Sequence, residues 1–230
     1  MPPLVLVPGL LGTAEVFAPQ VAALWPYGPV TIASTLEGAT MAEIAAAILA
    51  AAPPRFALAG ISMGGYLGFE ILRQAPDRVL KLALLDTTAR PDAPEQTRLR
   101  RLTVARARGG EFADVLDEAV RAMVHPARRD DPELRGLAAR MGHAVGVDGF
   151  ARQTEAIIGR PDSRPDLPRV AVPTLVLVGD RDPLTPPDRA AEIAAAVPGA
   201  RLVEIPACGH LSTRERPDAV NRALAEWLAA

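Results

Sequence analysis

The sequence has only one cysteine among its 230 residues, Cys208. An internal disulfide is therefore excluded, which fits a reducing compartment, and we expect a cytoplasmic protein. The opening stretch MPPLVLVPGLLG lacks the basic region that begins a secretory signal peptide. No apolar run approaches the roughly 20 residues that a membrane span requires, so no membrane partner is expected.

The sequence also has no excess of positive charge. It contains 25 Lys and Arg against 27 Asp and Glu, with a formal net charge of −2 and an isoelectric point of about 6.0. A strong basic excess is typical of proteins that bind nucleic acid, and we expect no such partner here. Hydrophobic residues make up 49% of the chain, enough for a large core. We predict a single domain over residues 1–230.

Short apolar runs alternate with longer helical patterns along the chain. The β-prone runs are residues 4–7, 30–33, 55–59, 81–86, 174–179 and 201–205. Their near-continuous hydrophobicity is typical of strands covered on both faces. Helical patterns follow at residues 40–52, directly after Ser62, and at 186–197 and 214–230. This alternation predicts an α/β fold with a mostly parallel six-stranded sheet flanked by helices.

One long insertion interrupts this alternation. From Thr87 to about Pro168 the sequence contains helical patterns and no convincing strand. Between Thr87 and Arg169 there are 15 arginines and 13 acidic residues, a slight basicity that would suit a carboxylate-bearing substrate. Charged helix faces are more often simply solvated. We predict a helical subdomain inserted between two strands of one sheet.

The stretch GISMGGYLG, residues 60–68, places one serine among four glycines, between a predicted strand and a predicted helix. Gly60, Ser62 and Gly64 fit the Gly-x-Ser-x-Gly pattern, in which the serine occupies a sharp, strained turn that larger neighbours would crowd. Such a turn exposes the hydroxyl beside a helix N-terminus that favours negative charge. The spacing fits neither a P-loop nor a dinucleotide-binding loop. We predict that Ser62 is a nucleophile.

A serine hydroxyl needs a base, usually a histidine held by a carboxylate. His125 and His143 lie in the helical insertion, where surface histidines are expected. His210 follows the last predicted strand, at the edge of the sheet where ligands bind in open α/β folds. We therefore predict His210 as the base. Asp180 and Asp182 follow another strand, and one of them would orient the imidazole.

With these residues the chain resembles the α/β-hydrolase superfamily, whose triad appears in the order Ser, Asp, His. Two further stretches of that family, G-D-x-D-x-x-x-P and G-H, are matched. The matching residues are Gly179, Asp180, Asp182 and Pro186 in the first stretch and Gly209 and His210 in the second. The resemblance implies that Asp182 is the acid. Asp86 is a third candidate, because some relatives carry the acid after that earlier strand.

The resemblance also implies an oxyanion hole made by the backbone N–H groups of Leu10 and Met63. Pro8 stands where the family often has histidine, so the support of this loop differs. The chain starts at what resembles the family's third strand, so the fold would lack the first two strands. The insertion at about 87–168 would correspond to the family's cap. No metal-ligand spacing is present, and we expect no metal and no organic cofactor.

The expected reaction is hydrolysis of a small-molecule carboxylic ester through an acyl-serine intermediate. The tract GISMGG followed by LALLDTTAR resembles 3-oxoadipate enol-lactonases, and the short chain resembles small bacterial carboxylesterases. A lactone or a thioester is therefore an alternative substrate. A non-catalytic ligand-binding protein is an alternative of another class, because fold alone does not establish turnover. The oligomeric state cannot be deduced from the sequence.

Overall fold

The computed structural model describes all residues, 1–230. Its centre is one sheet of six strands in the order β2-β1-β3-β4-β5-β6. The strands are β1 (Leu4–Val7), β2 (Val30–Ile32), β3 (Phe56–Ile61), β4 (Val79–Leu85), β5 (Thr174–Gly179) and β6 (Arg201–Ile205). Every pairing is parallel. The predicted α/β fold is confirmed, and each predicted apolar run overlaps one strand.

Nine α-helices accompany the sheet. They are α1 (Ala18–Leu24), α2 (Met41–Ala51), α3 (Met63–Gln74), α4 (Pro94–Arg106), α5 (Phe112–Met123), α6 (Pro132–Ile158), α7 (Pro187–Ala196), α8 (Ser212–Glu215) and α9 (Pro217–Ala229). The single helix expected over 214–230 is divided at Arg216, whose backbone is not helical. The cause is Pro217, because a proline disfavours the helical conformation of the residue before it. No helix is long and apolar enough to cross a membrane.

The central strands are buried along their whole length, as their continuous apolar sequences predicted. Every residue of β1, β3 and β5 is buried, whereas β6 at the edge of the sheet is buried only at Ile205. The expectation that all six strands are covered on both faces is therefore wrong for the two edge strands, β6 and β2, and β2 has no buried residue. The parallel register brings the carboxyl ends of β3, β4, β5 and β6 to one edge of the sheet.

Two hydrophobic cores cover the two faces of the sheet. One contains 27 buried residues and joins the sheet to α2, α3 and α7. The other contains 25 and joins it to α1, α9 and parts of α5 and α6. At roughly 25 cal/mol per Å² of buried apolar surface, these layers are the main favourable contribution to folding. They leave the carboxyl edge of the sheet as the place where loops and polar side chains meet.

The chain between β4 and β5 forms no strand and contains α4, α5 and α6. The last of these is interrupted at Gly146, whose φ of 72° lies in the left-handed region that glycine tolerates. Helix α6 packs against both α4 and α5. Residues of all three helices line a cavity whose other wall is the carboxyl edge of the sheet. This helical segment, residues 87–168, therefore faces the loops that follow the strands.

Candidate active site

Ser62 occupies a sharp turn between the end of β3 and the start of α3. Its φ of 54° and ψ of −115° lie outside the regions that non-glycine residues favour. Gly60 and Gly64 are required here, since a β-carbon on Gly60 would overlap the carbonyl of Gly64 and one on Gly64 would overlap the carbonyl of Val7. The glycines let two backbone segments approach closely while the serine hydroxyl points into the cavity.

His210 lies in the loop after β6 and reaches Ser62. Its Nε2 atom is 2.9 Å from Ser62 Oγ, and the residue is only 3% exposed. Its backbone N–H donates to the carbonyl of Met123 at the end of α5. The loop is thus held from the helical segment as well as from the sheet, which limits the positions that the imidazole can adopt.

Asp182 completes a chain of contacts to the serine. Its Oδ2 atom lies 2.7 Å from His210 Nδ1. Its Oδ1 atom accepts from the N–H groups of Leu184 and Thr185, and the Thr185 hydroxyl donates to Oδ2 at 2.7 Å. With Nδ1–H directed at this carboxylate, Nε2 is left as the acceptor that faces Ser62. The carboxylate, imidazole and hydroxyl are therefore arranged for proton transfer.

Thr185 is a site residue that sequence reasoning missed. It directly precedes the helix predicted over 186–197, which starts at Pro187 as α7, and its hydroxyl binds Asp182. The same hydroxyl lies 3.3 Å from His210 Nδ1. Its position three residues after an aspartate in a loop is the only signal in the sequence, since an aspartate in a turn often accepts from the backbone N–H groups that follow it.

Burial and neighbouring charges act in opposite directions on the pKa values of His210 and Asp182. Burial disfavours the charged imidazole, but the charge of the Asp182 carboxylate and its hydrogen bond to the imidazole outweigh it and raise the pKa of His210. Burial also disfavours the charge on Asp182, yet His210 and the hydrogen bonds from Thr185 lower the pKa of its carboxyl. An ionised aspartate beside an imidazole with increased proton affinity suits a general base.

The two other candidate acids do not touch His210. Asp180 accepts from the N–H of Cys208 at 3.0 Å and so ties the loop after β5 to the histidine loop. Asp86 is fully buried and accepts from the N–H groups of Gly179 and Ser212. Burial and the nearby charge of Asp182 raise the pKa of Asp86 to about 8. A carboxyl that is mostly neutral near pH 7 would stabilise an imidazolium poorly.

Leu10 and Met63, the expected donors of an oxyanion hole, both lie beside Ser62 in the structure. Met63 is the first residue of α3, where a backbone N–H has no partner within the helix. Leu10 follows Gly9, whose β-carbon position would contact Ser62. Neither N–H donates to a loop carbonyl or a side chain. Next to Leu10, the N–H of Leu11 donates to Gln153 Oε1 of α6, which supports this loop where the expected histidine is replaced by Pro8.

Glu215 is a second residue that the sequence did not reveal. Its Oε1 atom accepts from Gly209 and Leu211, the residues on either side of His210. Its Oε2 atom accepts from the N–H of His125 in the helical segment. A buried carboxylate with three backbone donors therefore connects the histidine loop to the end of α5. No sequence motif predicts this role, because the donors are backbone N–H groups, which every residue except proline carries.

The side chains of the remaining histidines and of the cysteine make no hydrogen bond to Ser62, His210 or Asp182. His143 is exposed, with its Nδ1 atom 2.6 Å from the carbonyl of Ala139. His125 Nδ1 accepts from the N–H of Ala127 in a short turn. Burial raises the pKa of the Cys208 thiol well above its usual range, so the thiol stays protonated. No group of three or more His, Cys, Asp or Glu side chains lies close enough to hold a metal ion.

A cavity of about 540 Å³ opens above Ser62 and His210. Most of its lining is apolar and comes from both the strand-end loops and the helical segment. Its size lies within the usual range for small-molecule sites, which is about 300–1,000 Å³. The hydroxyl, the imidazole and Leu10 therefore share one chamber that could hold a small molecule.

Comparisons with known proteins agree with this geometry. The sequence model described as the alpha/beta hydrolase fold matches residues 27–217. A Klebsiella pneumoniae protein named as a candidate carbamate hydrolase, RutD, is 31% identical over 203 residues, which cover 84% of this chain and 73% of the relative.

Two solved structures resemble the whole chain. A thermophilic esterase from Thermogutta terrifontis has a TM-score of 0.89 and 30% identity, covering 100% of this chain and 90% of its own. The enol-lactonase from Burkholderia xenovorans also has a TM-score of 0.89, with 28% identity and coverage of 100% and 92%. The family match extends over most of the chain, and these likenesses extend over its full length. The protein belongs to the α/β-hydrolase fold family.

Proposed function

We propose that this protein is a serine hydrolase that cleaves carboxylic esters of small molecules through a covalent acyl-enzyme intermediate. The observation that carries the proposal is the unbroken series of contacts from Asp182 through His210 to Ser62 Oγ, at distances of 2.7 and 2.9 Å. This series ends at the wall of a cavity large enough for a small molecule.

In the first half of the reaction, Ser62 Oγ attacks the acyl carbon while its proton passes to His210 Nε2. The ionised Asp182 stabilises the imidazolium through Nδ1–H. The carbonyl electron pair moves onto oxygen, where the N–H groups of Leu10 and Met63 would stabilise it. The tetrahedral intermediate collapses when His210 returns its proton to the leaving alcohol, and the acyl group remains on Ser62.

In the second half, water takes the place of the alcohol. His210 removes a proton from this water, which attacks the acyl-serine carbon and forms a second tetrahedral intermediate. The bond to Ser62 Oγ then breaks, the serine regains its proton from His210, and the carboxylic acid leaves. All proton transfers use groups of this chain, and the net reaction consumes one ester and one water.

The helical segment 87–168 acts in this proposal as a cap within a single-domain fold. It contributes most of the cavity lining, including side chains of α4, α5 and α6. Enclosing the acyl group between the cap and the strand-end loops would exclude bulk water and strengthen the electrostatic interactions at the oxyanion. Substrate selection would then depend on the cap side chains.

The names of the similar proteins include several classes of acyl substrate, and experiment can decide among them. The relatives described above include an esterase, an enol-lactonase and a candidate carbamate hydrolase. A lactone is the second candidate substrate, because the enol-lactonase matches the chain along its full length with a TM-score of 0.89. A panel of ethyl esters, lactones, thioesters and carbamates, compared by kcat/KM, ranks these classes directly.

The deciding experiment is labelling with a fluorophosphonate, because only an activated serine should react. We expect one label on the native protein, located on Ser62 by mass spectrometry. Ser62→Ala should lose both the label and all measurable ester turnover, while its circular dichroism spectrum stays native. A native protein that resists the label and hydrolyses no member of the panel would instead be a non-catalytic binding protein of this fold.

A further inference from the structure

One patch of the cavity wall carries polar groups that the hydrolytic chemistry does not use. It comprises Tyr66, Thr154 and Arg160, which we call the Arg160 cluster. The Arg160 guanidinium lies over the Tyr66 ring, with Cζ 4.3 Å from the ring centroid. The arginine side chain is only 6% exposed, which is unusual for a permanently charged group.

Part of the Arg160 guanidinium is held by the protein, and part is free. Its Nε atom donates to the carbonyl of Arg90, and its Nη1 atom donates to Asp92 Oδ1 at 2.7 Å and to the carbonyl of Ile157. No acceptor in the chain takes the two N–H groups of Nη2. The hydrogen bonds of Nε and Nη1 thus fix the guanidinium in place, while the two N–H groups of Nη2 stay unpaired.

The charge of this region is also not balanced. Asp92 is shared, since its Oδ2 atom accepts from Arg100 Nε at 2.7 Å while Oδ1 accepts from Arg160. Two guanidiniums that line the cavity therefore face one carboxylate. The acidic residue in the cavity lining, Glu118, binds Arg106 together with Glu111 and forms no ion pair with Arg160 or Arg100. Arg160, Arg100 and Asp92 together therefore carry one positive charge.

The hydroxyl groups of the cluster lack acceptors as well. Thr154 Oγ1 is buried and has no hydrogen-bond partner. The Tyr66 hydroxyl makes no hydrogen bond, and burial raises the pKa of its phenol, so it remains a proton donor. Buried donors are nearly always paired in native proteins, so donors that line a cavity without a partner are suited to bind a ligand. The partner missing here is an acceptor, and the positive charge favours one that is negative.

We propose that the Arg160 cluster binds a free carboxylate of the substrate, so that the preferred substrates are esters or lactones with a second, ionised carboxyl group. A carboxylate has two oxygens that can accept from Arg160 Nη2 and from the hydroxyls of Tyr66 and Thr154. This assignment rests on the proposed hydrolysis and adds the chemical class of the substrate. The phenol and the threonine would then discriminate against neutral esters of the same length.

The test compares substrates that differ only in the carboxylate. Monoethyl glutarate and monoethyl adipate are each measured against the neutral ethyl ester of equal chain length, ethyl pentanoate and ethyl hexanoate. Charge-assisted hydrogen bonds contribute enough that we expect kcat/KM to be about 10- to 100-fold higher for at least one monoester. Equal values of kcat/KM within both pairs would overturn the proposal.

Variants separate recognition from folding. Arg160→Gln should abolish the preference, so that kcat/KM for each monoester becomes equal to that for its neutral partner. Because Arg160 also ties Arg90, Asp92 and Ile157 together, thermal melting must show that this variant folds. Tyr66→Phe and Thr154→Val leave those ties intact, and each should reduce the preference several-fold. If neither reduces it, the assignment is wrong, whatever the fate of Arg160→Gln.

Arg101→Gln is the matched control, since Arg101 is an exposed arginine of α4 outside the cavity lining, paired only with Glu155. It should keep the native preference. Calorimetric binding of both ligand pairs to Ser62→Ala distinguishes the two proposals, because it requires no turnover. A protein that binds monoethyl adipate more tightly than ethyl hexanoate but hydrolyses neither keeps the carboxylate site and loses the hydrolase assignment.

Discussion

Polar side chains are held in opposite ways at the carboxyl edge of the sheet and in the helical segment. At the edge they are buried and bound to backbone groups: the Asp182 side chain is fully buried and Glu215 accepts from three backbone N–H groups. On the helices they form exposed ion pairs, such as Arg106 with Glu118, whose side chains are 41% and 59% exposed.

This difference indicates which region holds its polar side chains in fixed positions and which region can vary. Breaking a buried hydrogen bond to a charged group leaves its partner unsatisfied, which is costly, whereas exposed ion pairs contribute little. The edge is therefore suited to hold the proposed reacting groups in fixed positions. The helical surface can change with small effects, except where a charge is buried, as at Arg160 paired with Asp92.

The largest expected effect on activity comes from replacing the Asp182 carboxylate at the carboxyl edge of the sheet. Asp182→Asn should lower kcat by up to about 10⁴-fold, because the amide would favour the wrong imidazole tautomer. The measurement is kcat for an ester substrate together with the thermal midpoint of the variant.

Asp86→Asn and Asp180→Asn serve as the controls for that change. Neither residue touches His210, and we expect losses in stability or loop order rather than in the chemical step. A near-native kcat in Asp182→Asn, with a collapse in one of the other two folded variants, would move the acid to that position.

A smaller effect should appear in the pH dependence. His210 must be neutral to accept the serine proton, so kcat/KM should fall as the pH drops through its pKa. Because the ionised Asp182 raises this pKa, the fall should begin above the reference value of about 6.5. Below the pKa the rate should decrease about tenfold per pH unit. A flat profile down to about pH 4 would be incompatible with a histidine base.

The smallest effects are expected for the histidines of the helical segment. His125→Ala and His143→Ala should keep the acid limb of the native profile and nearly the native kcat, because neither imidazole touches the Ser62 hydroxyl or the His210 ring. Glu215 binds the backbone N–H of His125, which the alanine variant retains. The pH profile of each variant checks this, and a shifted limb in either one would mean that the helical segment takes part in proton transfer.

Much of the fold could be predicted because its signals are local. Strands β1, β3 and β5 are continuous apolar runs, and the glycines around Ser62 report a steric demand within a few residues of one another. The position of α1 was missed, since its short stretch has a weak pattern, and the division at Arg216 was missed although Pro217 indicates it. The roles of Ser62, Asp182 and His210 remain predictions that the experiments above decide.

The sequence by itself determined the parallel α/β fold, the strained turn at Ser62 and the candidates for base and acid, since each depends on hydrophobic periodicity or on neighbouring residues. Only the tertiary structure decided that Asp182 rather than Asp180 or Asp86 lies against His210, that Glu215 binds both sides of the histidine loop, and that Arg160 keeps unpaired donors in the cavity. These facts depend on contacts between residues far apart in the chain, which burial and hydrogen bonding select together. No local pattern carries that information.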